Sequence, residues 1–417
     1  MRLLLYGLNF WPELTGIGKY SGEMVAWLAE RGHDVNVVTA PPYYPAWRVP
    51  SDYGGVRYRV ESWGPNSSIQ ITRCPLWVPR RQTTLRRLAH LFSFAVSSLP
   101  ALWRSLHRRP EVLFIVVPTL FVAPVALLVA RIFRVPAWIH VQDFEVDAMF
   151  SLGLGKRGGW LRRFALSMES GLLARFDRAS SISPRMVERL VEKGVLPSRT
   201  VEFPNWVDLR SVFPLTGPNF IRSELGFGDK DVVVLYAGNM GEKQGLEIVI
   251  DAAREMVHQS NVHFVLAGSG AARERLELRA AGLSNVIWLP LQPVDRLNEM
   301  LNAADIHVLP QLASAADLVM PSKLTGMLAS GRATVGTASA DTQLGQVLDA
   351  AGCRIDPGDC AALVSTLKSL SGDPSRRAEL GSKGRVYAEQ YLGIDAIMSR
   401  FEKALETLKH ESVNARR

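Results

Sequence analysis

Three turns in this chain combine glycine, lysine and a helix start, which is the set of features that holds an anion. The first, "ELTGIGKYSGEM" (residues 13–24), sets Gly16, Gly18 and Gly22 around Lys19, directly after the apolar run "RLLLYGLNF". Two readings compete for it. Glycine tolerates positive φ and lets another backbone come close; alternatively, successive amides at a helix start, aided by the helix dipole, receive a phosphate. The second turn, "YAGNMGEKQGLE" (236–247), places Asn239 and Lys243 ahead of Gly245. The third, "MPSKLTGMLASG" (320–331), reads as a capped helix start where the Ser322 hydroxyl and the Lys323 ammonium converge. A lysine point charge beside free amides suits a diphosphate.

Two common nucleotide motifs fail on residues. Gly16-x-Gly18-x-x-x-Gly22 is one residue too long for a dinucleotide fingerprint, and "DVNVVTAPP" ends without the acid that would bind a ribose. Gly18-Lys19 is followed by Tyr20, so it is no P-loop either. A different chemistry is offered by "AWIHVQDFEVD" (137–147). As a strand, it turns His140 and Gln142 to one face and starts the following loop at Asp143. His140 reads either as a satisfied core histidine or as a hydrogen-bond partner for a sugar. Asp143 can orient or deprotonate a hydroxyl, and Glu145 and Asp147 follow as solvated candidates. No His/carboxylate cluster of metal-ligand type is present, and Cys74, Cys353 and Cys360 are too scattered for a zinc site or a disulfide framework.

The elements that must position these groups alternate strand and helix. "RLLLYGLN", "DVNVVTA", "VLFIVV" and "AWIHVQ" are strands of a first half, with helices predicted near Gly22–Arg31, through Arg134, over "RRFALSMESGLLARF" and from the Ser183-Pro184 cap. A break with three prolines covers residues 204–220. The alternation then restarts with "VVVLYAG", "VHFVLAG", "NVIWLP", "IHVLPQ" and "ATVGTA". This predicts an α/β protein of two doubly wound, Rossmann-like halves of similar size. The tail is an amphipathic helix carrying Ile394, Ile397, Phe401, Leu405 and Leu408 at helical spacing.

Apolar content of 47% and charged content of 21% are those of a globular protein, and the net charge of +8 favours anionic partners. Between Glu61 and Glu111 lie eight arginines and no acid. There "TLRRLAHLFSFAVSSLPALWRSLHRR" forms a basic amphipathic stripe. Such a helix either lies in a membrane interface or faces the core with a solvated basic side. "VLFIVVPTLFVAPVALLVARIF" (112–133) is long enough to span a bilayer, but Pro118 and Pro124 divide it, so it is read as a buried strand and a buried helix. No signal peptide is seen at the N-terminus, and the cysteine usage fits a reducing compartment.

Together, "YGLNFWPELTGIGKYSGEM", "RGHDVNVVTAPPYYP", "HVQDFEVD", "FPNWVD", "YAGNMGEKQGLE" and "PSKLTGMLASG" resemble a retaining-type family 4 glycosyltransferase of the two-domain GT-B fold. More narrowly, they resemble the colanic acid biosynthesis fucosyltransferase group, over essentially the whole chain. The resemblance implies two Rossmann-like domains facing across a cleft, an N-terminal acceptor-side domain (1–208) and a C-terminal nucleotide-sugar-binding domain (209–390), with a last helix (391–417) that crosses back to the first domain. It implies that Asn239, Lys243, Ser322 and Lys323 hold the donor diphosphate and that Gly16 and Gly18 approach it. Backbone near Leu289 to Leu291 would read the base. His140 and Asp143 are the implied catalytic pair, and no metal or other cofactor is expected. The pattern departs from the family at Gly326, where many relatives carry a glutamate that contacts ribose; Asp317 is the nearest upstream acid. The implied reaction moves a hexose, fucose from GDP-fucose, onto a lipid-linked (polyprenyl diphosphate) oligosaccharide precursor. The chain would act in the cytoplasm, at the inner face of the membrane, docked by the arginine-rich helix, Trp103 and "PPYYPAW". If configuration is retained, the leaving phosphate oxygen takes the acceptor proton; if inverted, Asp143 is the base. The alternatives are a UDP-glucose or UDP-GlcNAc donor on the same scaffold, or a non-catalytic nucleic-acid-binding protein. Against the last, no RNP, KH or helix-turn-helix pattern occurs, and no nucleic-acid partner is expected.

Overall fold

The computed structural model describes residues 1–13, 16–54, 57–64, 67–81, 83–117, 121–144, 159–313 and 321–414. The chain divides into two units, Met1–Pro204 with Met398–Arg417, and Asn205–Ile397.

The sheet of the first unit has eight strands: β1 (Arg2–Gly7), β2 (Asp34–Thr39), β3 (Arg59–Trp63), β4 (Ile69–Arg73), β5 (Val112–Val117), β6 (Ala137–Val141), β7 (Arg178–Ser181) and β8 (Thr200–Glu202). Their order is β3-β4-β2-β1-β5-β6-β7-β8. All neighbours run parallel except β3, which lies antiparallel on β4 at the edge. The central strands are buried on both faces, which is why "VLFIVV" reads as an unbroken apolar run. Helices cover both faces. Phe114 and Trp138 pack on Phe401 of the last helix, Ile394–Asn414, with ring centroids 5.0 and 5.3 Å apart. On the opposite face Tyr6 stacks on Phe94 at 5.8 Å, and its hydroxyl lies 2.6 Å from Ser98 Oγ. Right-handed crossovers set helix Gly16–Glu30 beside the last helix, where Arg31 and His33 both reach Glu402. The same rule puts Thr84–Ser97, Leu99–His107, Ala123–Phe133 and Gly159–Leu173 on the other layer.

The second sheet is all parallel, with six strands: β9 (Val232–Ala237), β10 (Val262–Ala267), β11 (Val286–Leu289), β12 (Ile306–Leu309), β13 (Ala333–Thr337) and β14 (Cys353–Ile355). The order β11-β10-β9-β12-β13-β14 is the doubly wound one, and the direction of strand addition reverses between β9 and β12. Ligands of such sheets bind outside the carboxyl ends of the strands at that switch point.

The expected elements form, with local differences. Ser183 caps helix Pro184–Glu192 by accepting from the Met186 amide at 3.3 Å. The first helix starts at Gly16, six residues before the expected Gly22, because Gly18 and Gly22 pack inside it rather than in the turn. The "PPYYPAW" stretch is irregular as expected, with Tyr44 and Trp47 half-buried and Pro45 and Ala46 exposed. Tyr43 is buried, and its ring meets Trp47 at 5.5 Å and His90 at 4.8 Å.

Candidate functional site

In the second unit, the chain leaves β9 through Gly238, whose φ is +135°. The Lys323 side chain lies over this turn. A Cβ at Gly238 would fall 2.6 Å from Lys323 Cε, so glycine is what allows the lysine stem to pass. The Lys323 Nζ sits 4.0 Å from the Tyr236 ring centroid, donates to the Asn239 carbonyl at 3.2 Å, and donates to the Tyr236 hydroxyl oxygen. That hydroxyl in turn donates to the Asn239 carbonyl at 2.5 Å. Among the described residues the ammonium thus faces neutral acceptors and a ring, with no carboxylate. Burial lowers its pKa from 10.5 to about 7. The same burial holds the Tyr236 phenol protonated, above its ordinary value. An amine this close to neutrality, with its charge unbalanced, is suited to meeting a diphosphate.

The neighbouring turn after β10 is tied to this one. Gly268 has φ +139°, and a Cβ there would lie 2.0 Å from the Gly238 carbonyl oxygen; at Gly270 it would lie 2.4 Å from that of Met240. The two turns are therefore stacked backbone on backbone. Lys243 lies in the 3-10 turn Glu242–Gln244, and its side chain is outside the description. Ser322 does not cap the helix Lys323–Ala329, as the sequence suggested. Its backbone is already helical (φ −62°, ψ −20°), so its side chain cannot reach back in the capping geometry. At Gly326 a Cβ would come 3.2 Å from Leu301 Cδ1, so this position faces the packed side of the helix. The Leu289 carbonyl accepts from the Gly268 amide at 3.1 Å and from Arg273 at 3.0 Å, and Leu291 is exposed.

In the first unit, the three glycines have separate reasons. Gly16 has φ +59° with open space around it. Gly18 faces Glu13, whose carboxylate Oε2 would lie 2.7 Å from a Cβ, and Gly22 faces Trp11. Glu13 is buried. Its Oε1 accepts from the Tyr43 and Tyr44 amides at 3.0 Å each, and its Oε2 from Asn9 Nδ2 at 2.9 Å. Burial raises its pKa against these donors and the nearby Arg73 guanidinium. Arg73, itself buried, donates to the Trp11 and Ala40 carbonyls at 2.8 and 3.2 Å, and so fixes both loops. Tyr44 has its phenol pKa raised by burial first and then by the Glu13 and Asp143 carboxylates. Asp143, half-buried at the end of β6, therefore shares a neighbourhood with Glu13. Of the two, Asp143, half-buried just past β6, is the one suited to orienting or accepting a hydroxyl proton, since both oxygens of Glu13 are taken by Tyr43, Tyr44 and Asn9.

His140 belongs elsewhere. It is buried, its Nδ1 lies 2.9 Å from Ser180 Oγ, and its ring packs on Phe203 at 5.1 Å and Phe114 at 5.9 Å. Burial lowers its pKa to about 3, so it is neutral in the core beneath the last helix. Glu145, Asp147 and Asp317 lie outside the described residues. Sequence reasoning passed over Glu13, Arg73 and Tyr236. The available signal for Glu13 was an acid directly ahead of a glycine turn, and for Tyr236 a tyrosine closing an otherwise aliphatic strand.

Residues 15–206 match the family described as Glycosyl transferase 4-like domain, and residues 231–373 match Glycosyl transferases group 1. Over 411 residues the chain is 41% identical to WcaI of Escherichia coli (strain K12), named as a candidate colanic acid biosynthesis glycosyl transferase; the match covers 96% of this chain and 98% of that one. Among solved structures it is similar to sucrose-phosphate synthase from Thermosynechococcus elongatus, with a TM-score of 0.73, 15% identity and 98% of each chain covered. It is also similar to HepE from Anabaena in complex with UDP and glucose, with a TM-score of 0.70, 14% identity, and 98% of this chain and 100% of that one covered. At these identities the two structures speak for the fold. The matches to both halves, with a relative that agrees along nearly its whole length, establish that the chain belongs to the family 4 glycosyltransferases of the GT-B fold.

Proposed function

We propose that the second unit binds the diphosphate of a nucleotide-sugar outside β9 and β12, and that the enzyme moves a hexose onto a lipid-linked oligosaccharide precursor of an extracellular polysaccharide. The reading is carried by one observation: the Lys323 amine, close to neutrality and facing only neutral groups among the described residues, at the switch point of a doubly wound sheet. Asn239, Lys243 and Ser322 complete the phosphate contacts, and the donor approaches the start of the first helix at Gly16, with Gly18 in its first turn packed on Glu13. Asp143 orients or deprotonates the acceptor hydroxyl, with Glu13 and Arg73 holding the loops around it. His140 serves the core. Such a transfer is accelerated chiefly by a preorganised cation beside the leaving diphosphate, and Lys323 fills that place, so turnover should persist in EDTA.

The donor is proposed as GDP-fucose, on the similarity to the colanic acid group; UDP-glucose and UDP-GlcNAc are the competing donors. No helix among the described residues is long and apolar enough to cross a membrane. The proposed location is cytoplasmic, peripheral at the inner leaflet, through the cationic helices Thr84–Ser97 and Leu99–His107, where Leu85 and Phe92 are exposed. A thermal-shift panel of GDP, UDP, GDP-fucose, UDP-glucose and UDP-GlcNAc tests the donor reading. GDP-fucose should stabilise the protein most, and Lys323→Ala should remove the effect. No response to any nucleotide overturns the reading, and a larger response to the UDP compounds replaces the donor.

A further inference from the structure

The two helical layers of the first unit differ in what they show to solvent. On the layer of Gly16–Glu30 and the last helix, the described residues expose no large apolar side chain except Val413 near the chain's end. On the other layer, Trp160, Phe164 and Met168 are 75%, 58% and 61% exposed, at four-residue spacing along one stripe of helix Gly159–Leu173. The stripe continues to Leu172. Its neighbour, Ala123–Phe133, exposes Leu128 at 61% and Ile132 at 55%, again four apart. Single exposed apolar residues need no explanation, whereas two adjacent stripes do.

Between these helices runs a groove of about 530 Å³, with Leu127, Leu128 and Leu172 on its apolar side and Arg131, Arg175 and Arg199 on its polar side. Arg131 is partly engaged, donating to the Arg175 carbonyl at 2.7 Å and lying 3.3 Å from Asp177. Arg175 donates to the Gly171 carbonyl at 2.5 Å. The half-buried Arg199 guanidinium has no side-chain partner among the described residues. Three guanidiniums against one carboxylate leave a surplus of positive charge beside a hydrocarbon wall. The chemistry that satisfies both is a phosphate joined to an alkyl chain.

We infer that this groove binds one anionic phospholipid of the membrane, its phosphate on Arg199, Arg131 and Arg175 and its chain along Leu127, Leu128 and Leu172. Basic residues at an anionic surface and buried methylenes each add to such binding. The inference rests on the membrane part of the reading above. It places the contact on Ala123–Phe133 and Gly159–Leu173, in addition to the arginine-rich helices.

The test uses the full chain and short-chain lipids below their micelle concentration. Dihexanoyl phosphatidylglycerol, followed by calorimetry, should saturate at one molecule per chain. Dihexanoyl phosphatidylcholine should bind at least about tenfold more weakly, and glycerol 3-phosphate should show no saturation. Arg199→Gln and Leu128→Glu should each weaken phosphatidylglycerol about tenfold. Leu278→Glu, at an exposed position of the second unit, should change nothing. Equal binding of the two lipids, or full binding by both groove variants, overturns the inference. Flotation with phosphatidylglycerol vesicles separates it from the docking reading. Vesicle binding that survives both variants and is lost in Phe92→Glu keeps docking and removes the groove. Retained short-chain binding with no vesicle binding does the reverse.

Discussion

Replacing Lys323 with methionine tests the chemistry of the donor site through protons. In the free protein the amine has a pKa of about 7, because burial disfavours its charged form, and among the described residues only neutral groups face it. A bound diphosphate favours the charged form and returns the pKa towards its ordinary 10.5. Binding must then draw a proton from solvent whenever the pH lies between the two values. The free amine is protonated in about one molecule in ten at pH 8, so uptake there is about 0.9 proton per donor; it is about 0.5 at pH 7 and about 0.1 at pH 6. Above pH 7 each further pH unit should weaken binding about tenfold, or about 1.4 kcal/mol. Calorimetry with the intact nucleotide-sugar, in buffers of different ionisation enthalpy, reads the uptake directly, since a diphosphate diester holds no proton in this range. Lys323→Met should bind weakly and without proton uptake. The stability sign is also determined. The folded pKa is below the unfolded one, so the lysine's penalty is full below pH 7 and relieved as pH rises towards 10.5. The variant should therefore be no less stable than the parent at pH 7, and its advantage should shrink by pH 9. Buffer-independent heats at pH 8 with binding intact, or the same uptake in Lys323→Met, would refute the reasoning.

Gly268→Ala sets a Cβ 2.0 Å from the Gly238 carbonyl oxygen at a φ of +139°; it should cost about 3 kcal/mol or more, read as a lower urea midpoint. His140→Leu should leave turnover near the parent value while flattening the acid limb of stability. With a folded pKa of about 3, the native histidine is fully stabilising above its unfolded value of 6.5 and loses that as pH falls. Asp143→Asn should lower kcat by about 10²-fold or more if it is the proton acceptor, with donor affinity unchanged; full activity removes it from that role. Phe401→Ala empties the site between Phe114, Trp138 and Phe203 and should destabilise the first unit by about 3–5 kcal/mol, seen in thermal unfolding.

Much of the fold was legible because parallel strands buried on both faces leave continuous apolar runs, such as "VLFIVV" and "VVVLYAG". The strand-to-helix turns were legible through glycine, and Gly238, Gly245 and Gly268 do hold positive φ. What was not legible depends on partners distant in the chain. His140 is a core residue because Phe401 and Phe203 close over its strand, and nothing within "AWIHVQ" announces that. Ser322 looked like a cap by residue type, but capping depends on a backbone angle that type alone does not set. Nothing in "PPYYPAW" itself announces that Glu13, some thirty residues earlier, collects the amides of Tyr43 and Tyr44 and draws Tyr43 inward. Tyr236 acquires its place only when Lys323 arrives from the far side of the switch point.

The first unit is assembled from both ends of the chain, since Met398–Arg417 belongs with Met1–Pro204. During synthesis on the ribosome, β5, β6 and β8, with Phe203 directly after it, emerge long before Phe401 is made. Phe114, Trp138 and Phe203 therefore wait with one aromatic face uncovered, while all the strands of the second sheet are translated. The half that begins first is the one that finishes last, and a stalled or truncated product would present that sticky aromatic face to chaperones and proteases.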